Sequence, residues 1–393
     1  MKNPLLKTIT GFLFLFLLLS SGLRLNAQPL SPYAMPVGSR NQLGVYSPLA
    51  TAAGETILSQ PGPQSYLLNP GLLGFADNFQ IAVSGRLVAA STGNSDNNEN
   101  IWTTYSRQTL NPDFIGLNFK TGAWRIALGY SLMEEYNRPE IFFYYDAVTQ
   151  EGKLHGFQFG ISRRLNEHLS FGLSFNYRTG KIKHSDHNDY HSIYFDRQAD
   201  INGFNLQFGL VWKLNDTLTL ALVFRPAYRM KVEGTGEERY PDSGYVYFNQ
   251  FDAILRFPLA ITFSSRVKIS ENLNLYSDIS YWNWKQFSGG SMHDWDLERF
   301  YNWPQSHDDI KFSAGFDYAL KLRSESRTLR LAAGYIHDPY TGSGRINDYL
   351  TCGLCFSLNR LSLEGSVKLP LAKVRDQEYI DSNSYQLGLS FRF

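Results

Sequence analysis

The sequence predicts an all-β fold: a fourteen-stranded antiparallel transmembrane β-barrel with an N-terminal hatch in its lumen. Three observations predict it. A short polar turn between apolar positions recurs along the chain. The segments beside those turns alternate between large apolar and small or polar residues. Short turns and long polar stretches then follow one another in a count that gives an even number of strands.

Composition fits strands with one lipid face and one wet face. Aromatic residues make up 15% of the 393 residues, with 24 Tyr and 28 Phe, yet mean hydropathy is −0.29. Beyond residue 27 no stretch approaches the ~20 continuous apolar residues of a membrane-spanning helix. Net charge is +1, from 37 basic and 36 acidic residues spread along the chain, so no basic footprint for nucleic acid exists. Cys352 and Cys355 lie three apart, which in a strand points them to opposite faces, so they read as two separate thiols. No nucleophile motif and no cofactor motif stands out, which argues against an enzyme.

Residues 1–27 read as a cleaved export signal. Lys2 and Lys7 supply the positive start, Gly11 to Leu19 is an unbroken apolar run, and Ala27 offers a small residue for cleavage. The apolar run is short for a membrane span, and no Cys follows it as a lipoprotein anchor would require.

The turn repeat is the most informative pattern. Leu165-Asn166-Glu167-His168-Leu169 recurs as Leu214-Asn215-Asp216-Thr217-Leu218, again as Ile269-Ser270-Glu271-Asn272-Leu273, and in shortened form as Leu358-Asn359-Arg360-Leu361. Lys120 to Trp124 and Lys321 to Thr328 supply two more turns. Each is the chemistry of a tight antiparallel hairpin.

Period-two alternation flanks the turns. Leu169, Phe171, Leu173, Phe175 and Tyr177 alternate with Ser170, Gly172, Ser174 and Asn176; Trp124 to Leu132 behaves the same way. The alternating runs reach the length that a tilted strand needs to cross a bilayer. Long polar stretches at about 91–110, 134–153, 181–200, 232–253, 285–307, 339–346 and 371–382 read as loops. Seven long loops and six short turns give fourteen strands, with both termini at the short-turn end, which in outer-membrane barrels is periplasmic. The first strand is expected at about Asn78 to Ala90, closing onto a last strand whose Tyr385, Leu387, Leu389, Phe391 and Phe393 alternate with polar or small residues. Closure removes the free edge, and a terminal Phe393 is the kind of signal that barrel-assembly machinery reads.

Gln28 to about Ala76 is rich in small and turn-forming residues and lacks strand periodicity. We read residues 28–77 as a hatch folded inside the lumen, with 78–393 as the barrel. Leu67-Leu68-Asn69-Pro70-Gly71-Leu72-Leu73 is apolar enough to require burial.

These residues resemble the FadL family of outer-membrane transporters, which includes TodX-type hydrocarbon channels. Asn69-Pro70-Gly71 resembles the family's Asn-Pro-Ala hatch motif, with Gly71 in the place of Ala. Phe224 to Arg229 resembles its Tyr-Arg strand. Phe257-Pro258-Leu259, the Ile269 to Leu275 turn and Asp278 to Trp284 resemble in order its Leu-Pro strand, Asn-Asp-Lys-Leu turn and Trp-Asn-Trp strand. The resemblance implies a fourteen-stranded barrel with an amino-terminal hatch and a hydrophobic cargo.

Candidate site residues follow. Asn69, Pro70 and Gly71 are expected to shape the hatch, since Pro fixes φ and Asn bonds nearby backbone. Tyr276, Asp278, Ser280, Trp282 and Trp284 share one strand face, and a mid-strand Asp278 is costly toward lipid, so that face should be luminal. Tyr276, Trp282 and Trp284 are then pocket candidates, with an aromatic girdle as the other reading of the tryptophans. His184 to His191 is a dense polar cluster, read as a solvated external face in preference to a metal site. The expected function is passive uptake of a hydrophobic small molecule or lipid, such as a long-chain fatty acid, by a monomer set in outer-membrane lipid and lipopolysaccharide. The alternative is a FadL-like barrel acting as a protein-binding component of a type IX secretion system. A general porin is disfavoured by the hatch and by the apparent scarcity of charge on luminal strand faces.

Overall fold

The computed structural model describes residues 46–59, 62–95, 102–135, 137, 141–143, 146–188, 193–283, 286, 288–289, 308–322, 327–340, 345–371 and 379–393. The export signal, the first part of the expected hatch and Trp284 lie outside the described residues.

The strands form one closed antiparallel barrel. In chain order they are β1 (Phe79–Ser95), β2 (Trp102–Thr121), β3 (Trp124–Glu135, resuming at Ile141–Phe143), β4 (Asp146–Arg164), β5 (Leu169–Asn188), β6 (Ile193–Lys213) and β7 (Leu218–Arg225 and Tyr228–Tyr240). They continue as β8 (Tyr245–Phe257 and Ala260–Lys268), β9 (Leu273–Trp282, resuming at Ser288–Gly289), β10 (Asp309–Lys321), β11 (Arg327–Tyr340), β12 (Arg345–Leu358), β13 (Leu361–Pro370) and β14 (Tyr379–Arg392). Fourteen strands result because four of the eighteen-segment sheet's members continue a strand after an interruption. The barrel closes by pairing β1 with β14, Gln80 opposite Arg392 through Gly93 opposite Tyr379. At the seam the Phe393 N–H donates to the Phe79 carbonyl at 3.0 Å, and the two rings lie 5.3 Å apart.

The repeated turns share one device. Asn166 Oδ1 accepts from the N–H groups of His168 and Leu169, both at 2.8 Å. Asn215 Oδ1 accepts from Thr217 and Leu218 at 2.9 and 2.7 Å, and Ser270 Oγ accepts from Asn272 and Leu273 at 3.2 and 3.1 Å. The side chain mimics backbone and fixes the reversal, which is why Asn or Ser recurs there.

Strand β5 shows how the wall is divided. Ser170, Gly172, Ser174 and Asn176 are buried inward, while Phe171 and Tyr177 stand exposed with Leu169, Leu173 and Phe175 on the same outer face. Nine residues from Leu169 to Tyr177, at ~3.3 Å each and a tilt of about 45°, cover roughly 21 Å, close to the apolar band of an outer-membrane barrel.

The strands run well beyond that band. Residues 181–188 and 193–200, expected as loop, are the paired ends of β5 and β6, from Lys181 opposite Asp200 to Asn188 opposite Ile193. Residues 232–240 and 245–253 pair likewise across β7 and β8. The polar outer faces of these hairpins read as loop, but backbone pairing needs no apolar exterior. His184 and Asp186 therefore sit in a strand, and His184 is buried on its inner side. Pro226 and Pro258 interrupt the adjacent β7 and β8 at one level, where Arg225 pairs Ala260 and Tyr228 pairs Phe257. Proline has no N–H to give the ladder, so both strands break and resume.

Candidate functional site

Residues 46–59 and 62–76 pack against the inner wall. They fold as helix α1 (Pro48–Ala52), a 3-10 turn (Ile57–Ser59), helix α2 (Ser65–Leu68) and a second 3-10 turn (Pro70–Phe75). Such short helices hold little stability of their own, so their order derives from the wall. Leu49, Ile57, Tyr66, Leu67, Leu68, Leu72 and Leu73 are buried.

Two groups of contacts pin this segment across the lumen. On the β9–β13 side, Asp278 Oδ2 accepts from the Ile57 N–H at 2.7 Å, and Glu364 accepts from Leu49 N–H at 3.2 Å. Thr351 Oγ1 accepts from Gly54 N–H and donates to the Ala52 carbonyl. Glu55 takes Lys311 at 2.9 Å and Lys368 at 2.6 Å, and Lys311 also reaches Asp338 at 3.2 Å. On the β4–β7 side, Gln207 Nε2 donates to the Leu68 carbonyl at 2.6 Å. Asn69 Nδ2 donates to the Leu210 carbonyl at 3.2 Å, while its Oδ1 accepts from Gly71 N–H at 2.8 Å and caps the following turn.

The wall is thinned where this segment touches it. A β-carbon on Gly209 would lie 2.0 Å from Asn69 Oδ1, and one on Gly172 2.3 Å from the Pro70 carbonyl oxygen. Only glycine admits so close a backbone approach. Gly71 is also tight: a β-carbon there would sit 3.0 Å from the Gly209 carbonyl oxygen. Asn69, Pro70 and Gly71 thus stand together against β5 and β6.

The pocket candidates separate. Tyr276 hydroxyl donates to Asp317 Oδ2 at 2.5 Å and lies 3.5 Å from the Ser59 carbonyl, so it packs under the luminal segment. Trp282 faces inward, 4% exposed, at the other end of β9, with the Arg225 guanidinium 5.5 Å over its ring. That inward placement sets it apart from a girdle. A cavity of about 300 Å³ lies at the short-turn end, lined by Phe75, Asp77, Gln80, Arg330, Cys355 and Arg392 among others.

Beyond this luminal segment, toward the long-loop end, the polarity of the wall inverts. Beyond Tyr177 the outer face of β5 continues as Lys181 and Lys183, both exposed, while Ile182 between them is fully buried inward. Strand β6 turns outward Asp200 and Gln198 and inward Ile201 and Ala199; β7 turns outward Arg229, Lys231 and Glu233 and inward Tyr228, Met230 and Val232. Leu154, Leu255 and Phe257 continue the apolar inner face on β4 and β8. Tyr228 and Phe257 stack at 4.9 Å. The barrel is therefore apolar outside across the bilayer, and above it the inner face of β4–β8 carries an apolar stretch that ends at inward His184 and Arg197.

Two arginines stand at the lower edge of this buried apolar cluster. Arg178 and Arg225 are 1% and 2% exposed and close enough for their charges to repel. Arg178 donates to the Tyr228 hydroxyl at 3.1 Å, and Arg225 to Gln207 Oε1 at 2.9 Å. Arg225 Nε and Nη1 and Arg178 Nε have no hydrogen-bond partner among the described residues. The expected scarcity of luminal charge is thus corrected: Arg178, Arg225, Asp278, Lys311, Asp317, Glu364 and Lys368 all point inward. One or two inward charges per strand are inconspicuous in sequence but accumulate around a closed wall.

The wall also has a split. The β2–β3 ladder stops at Phe114 opposite Ser131, although β1 and β2 stay paired to Ser95 opposite Trp102. Beyond the stop, β3 leans to β4 through an irregularity between Leu132 and Glu134. Side chains bridge the split: Asn111 Nδ2 donates to Glu135 Oε2 at 2.7 Å, and Lys153 Nζ to Asn111 Oδ1 at 2.6 Å.

The comparisons agree with this architecture. Residues 49–344 match the family model described as outer membrane protein transport protein (OMPP1/FadL/TodX). The toluene transporter TodX of P. putida superposes with a TM-score of 0.67 at 14% identity, covering 89% of this chain and 99% of that one. The toluene transporter TbuX of Ralstonia pickettii gives 0.65 at 12% identity, covering 90% and 99%. A Pseudomonas aeruginosa FadL homologue gives 0.63 at 12% identity, covering 93% and 100%. No curated protein matches the sequence. A closed fourteen-stranded barrel and a family match over most of its length lead to one conclusion: the chain belongs to the FadL/TodX family of outer-membrane transport proteins.

Proposed function

We propose that this chain is a passive channel for hydrophobic compounds, taken up at the long-loop end and passed along the apolar inner face above the hatch. The observation that carries the reading is the inversion of wall polarity above the bilayer band, where Ile182, Ile201, Met230, Val232 and Leu255 line the inside. An aqueous pore has no use for that lining, whereas a cargo hiding about 200 Å² of apolar area gains about 5 kcal/mol by leaving water for it.

The unpartnered nitrogens of Arg178 and Arg225 favour a cargo with an anionic end, such as a long-chain fatty acid, because a carboxylate would relieve both their repulsion and their unmet hydrogen bonds. The split between β2 and β3 supplies a lateral exit, closed here by side-chain bonds and not by backbone ladder. In this reading the short-turn end and both termini are periplasmic, and the protein acts as a monomer without cofactor. None of the matches described above bears on the secretion alternative.

Titrating the purified barrel with a brominated fatty acid tests this. Saturable quenching of tryptophan fluorescence is expected, smaller in Trp282→Phe, with the acid bound more tightly than its alcohol. Replacing Arg178 and Arg225 together by Gln should remove that preference. Absence of saturable quenching, or equal loss for acid and alcohol, would overturn the corresponding part of the reading.

A further inference from the structure

We infer that the outer face of β7 and β8 just above the apolar band is a docking site for lipopolysaccharide, held through the phosphates of its lipid A. The inference rests on the reading that the long-loop end faces the cell exterior.

Arg229 of β7 and Arg256 of β8 are directly opposite each other in the ladder, and both side chains are exposed on the outer face. Like charges placed directly across two strands are unfavourable, so a bare pair is a cost that needs a counter-ion. Neither arginine has a hydrogen bond or ion pair with any described residue. The acids nearby are already taken: Glu233 binds Lys231, Asp252 lies 3.5 Å from the same lysine, and Asp200 holds Lys181 at 3.1 Å. The lysines hold these carboxylates two outward positions above the arginines, away from the guanidiniums.

Height decides the occupant. In register, Arg229 lies opposite Phe204 of β6, which is opposite Tyr177 of β5, and both rings are exposed at 48%. Below the arginines come Phe224 of β7 and Ile261 of β8, both outward and apolar. Two guanidiniums in register with an aromatic rim meet the level at which a lipid places its phosphates, and planar forked donors suit phosphate oxygens. In the outer leaflet of this membrane the anionic lipid at that level is lipopolysaccharide, whose paired phosphates match the paired arginines. Binding there would also keep the lipid's acyl chains against Phe204, Phe224 and Ile261.

The test titrates detergent-folded barrel with lipopolysaccharide, comparing wild type with the double variant Arg229→Gln/Arg256→Gln and comparing intact with enzymatically dephosphorylated lipopolysaccharide. Heat-modifiable gel migration establishes that the variant is folded. At least about tenfold weaker binding is expected for the double variant, and the same loss for wild type with the dephosphorylated lipid. Equal affinity of variant and wild type, or of the two lipids, would overturn the site. Labelling of the variant Ser243→Cys on intact cells by an impermeant reagent is a separate check. Labelling without a lipid effect rejects the docking site alone, whereas failure to label rejects the orientation and the site with it.

Discussion

Asn69 Oδ1 occupies a point 2.0 Å from where a β-carbon on Gly209 would stand. The hatch and the wall are therefore fitted at backbone level, and the amide that caps the hatch turn also reaches the wall through Nδ2. Gly209→Ala should leave the barrel folded and displace the hatch, at a cost of about 1–3 kcal/mol. Hydrogen exchange of residues 65–75 checks this, with faster exchange expected there and none of the change in β10–β13. Unaltered exchange at 65–75 would show that the wall gives way instead.

Asn69→Ala should act on the same contact from the other side. It removes the cap on Gly71 N–H and the bond to Leu210, about 1–2 kcal/mol together. Asn69→Asp keeps the acceptor for Gly71 but not the donor, so it should recover part of the protection. Full recovery would mean that the wall bond is idle.

Glu55→Gln probes the opposite anchor. It leaves Lys311 with Asp338 alone and Lys368 without a carboxylate, which should loosen the segment 48–59 by about 3 kcal/mol. Limited proteolysis is the readout: cleavage within the hatch should rise while the heat-modifiable barrel persists. A variant as resistant as wild type would relegate the lysine pair to general luminal charge.

Asn166→Ala and Asn215→Ala remove two turn bonds each and should lower stability by about 1 kcal/mol apiece, measured as urea unfolding of the lipid-reconstituted barrel. Serine at either position should restore most of the loss, since Ser270 performs the task in the third turn.

These anchors were unequally legible in the sequence. The turns and strand count were readable because a tight reversal is local chemistry, and Asn166, Asn215 and Ser270 repeat it at fixed spacing. Asn69, Pro70 and Gly71 were visible as a group, but not their fit to Gly172 and Gly209, a contact between distant parts of the chain. The inward apolar stretch is less legible for a different reason. Past Tyr177 the period of two persists, but its sense reverses: Ile182 lies inward between outward Lys181 and Lys183. A search for one constant apolar face reads that reversal as the start of a loop. Arg178 and Arg225 were overlooked because each is one inward residue on its own strand, and only closure brings them together.

The central claim is that the inverted apolar inner face carries hydrophobic cargo. The most direct measurement is uptake of a labelled long-chain fatty acid by cells lacking their own hydrophobe channel and expressing this chain, beside Met230→Asp and Val232→Asp variants matched for surface abundance. The account predicts faster uptake with wild type, loss of most of that gain in both variants, and no rise in permeability to small polar antibiotics. Unchanged uptake with wild type, or charged variants that transport as well as it does, would contradict it.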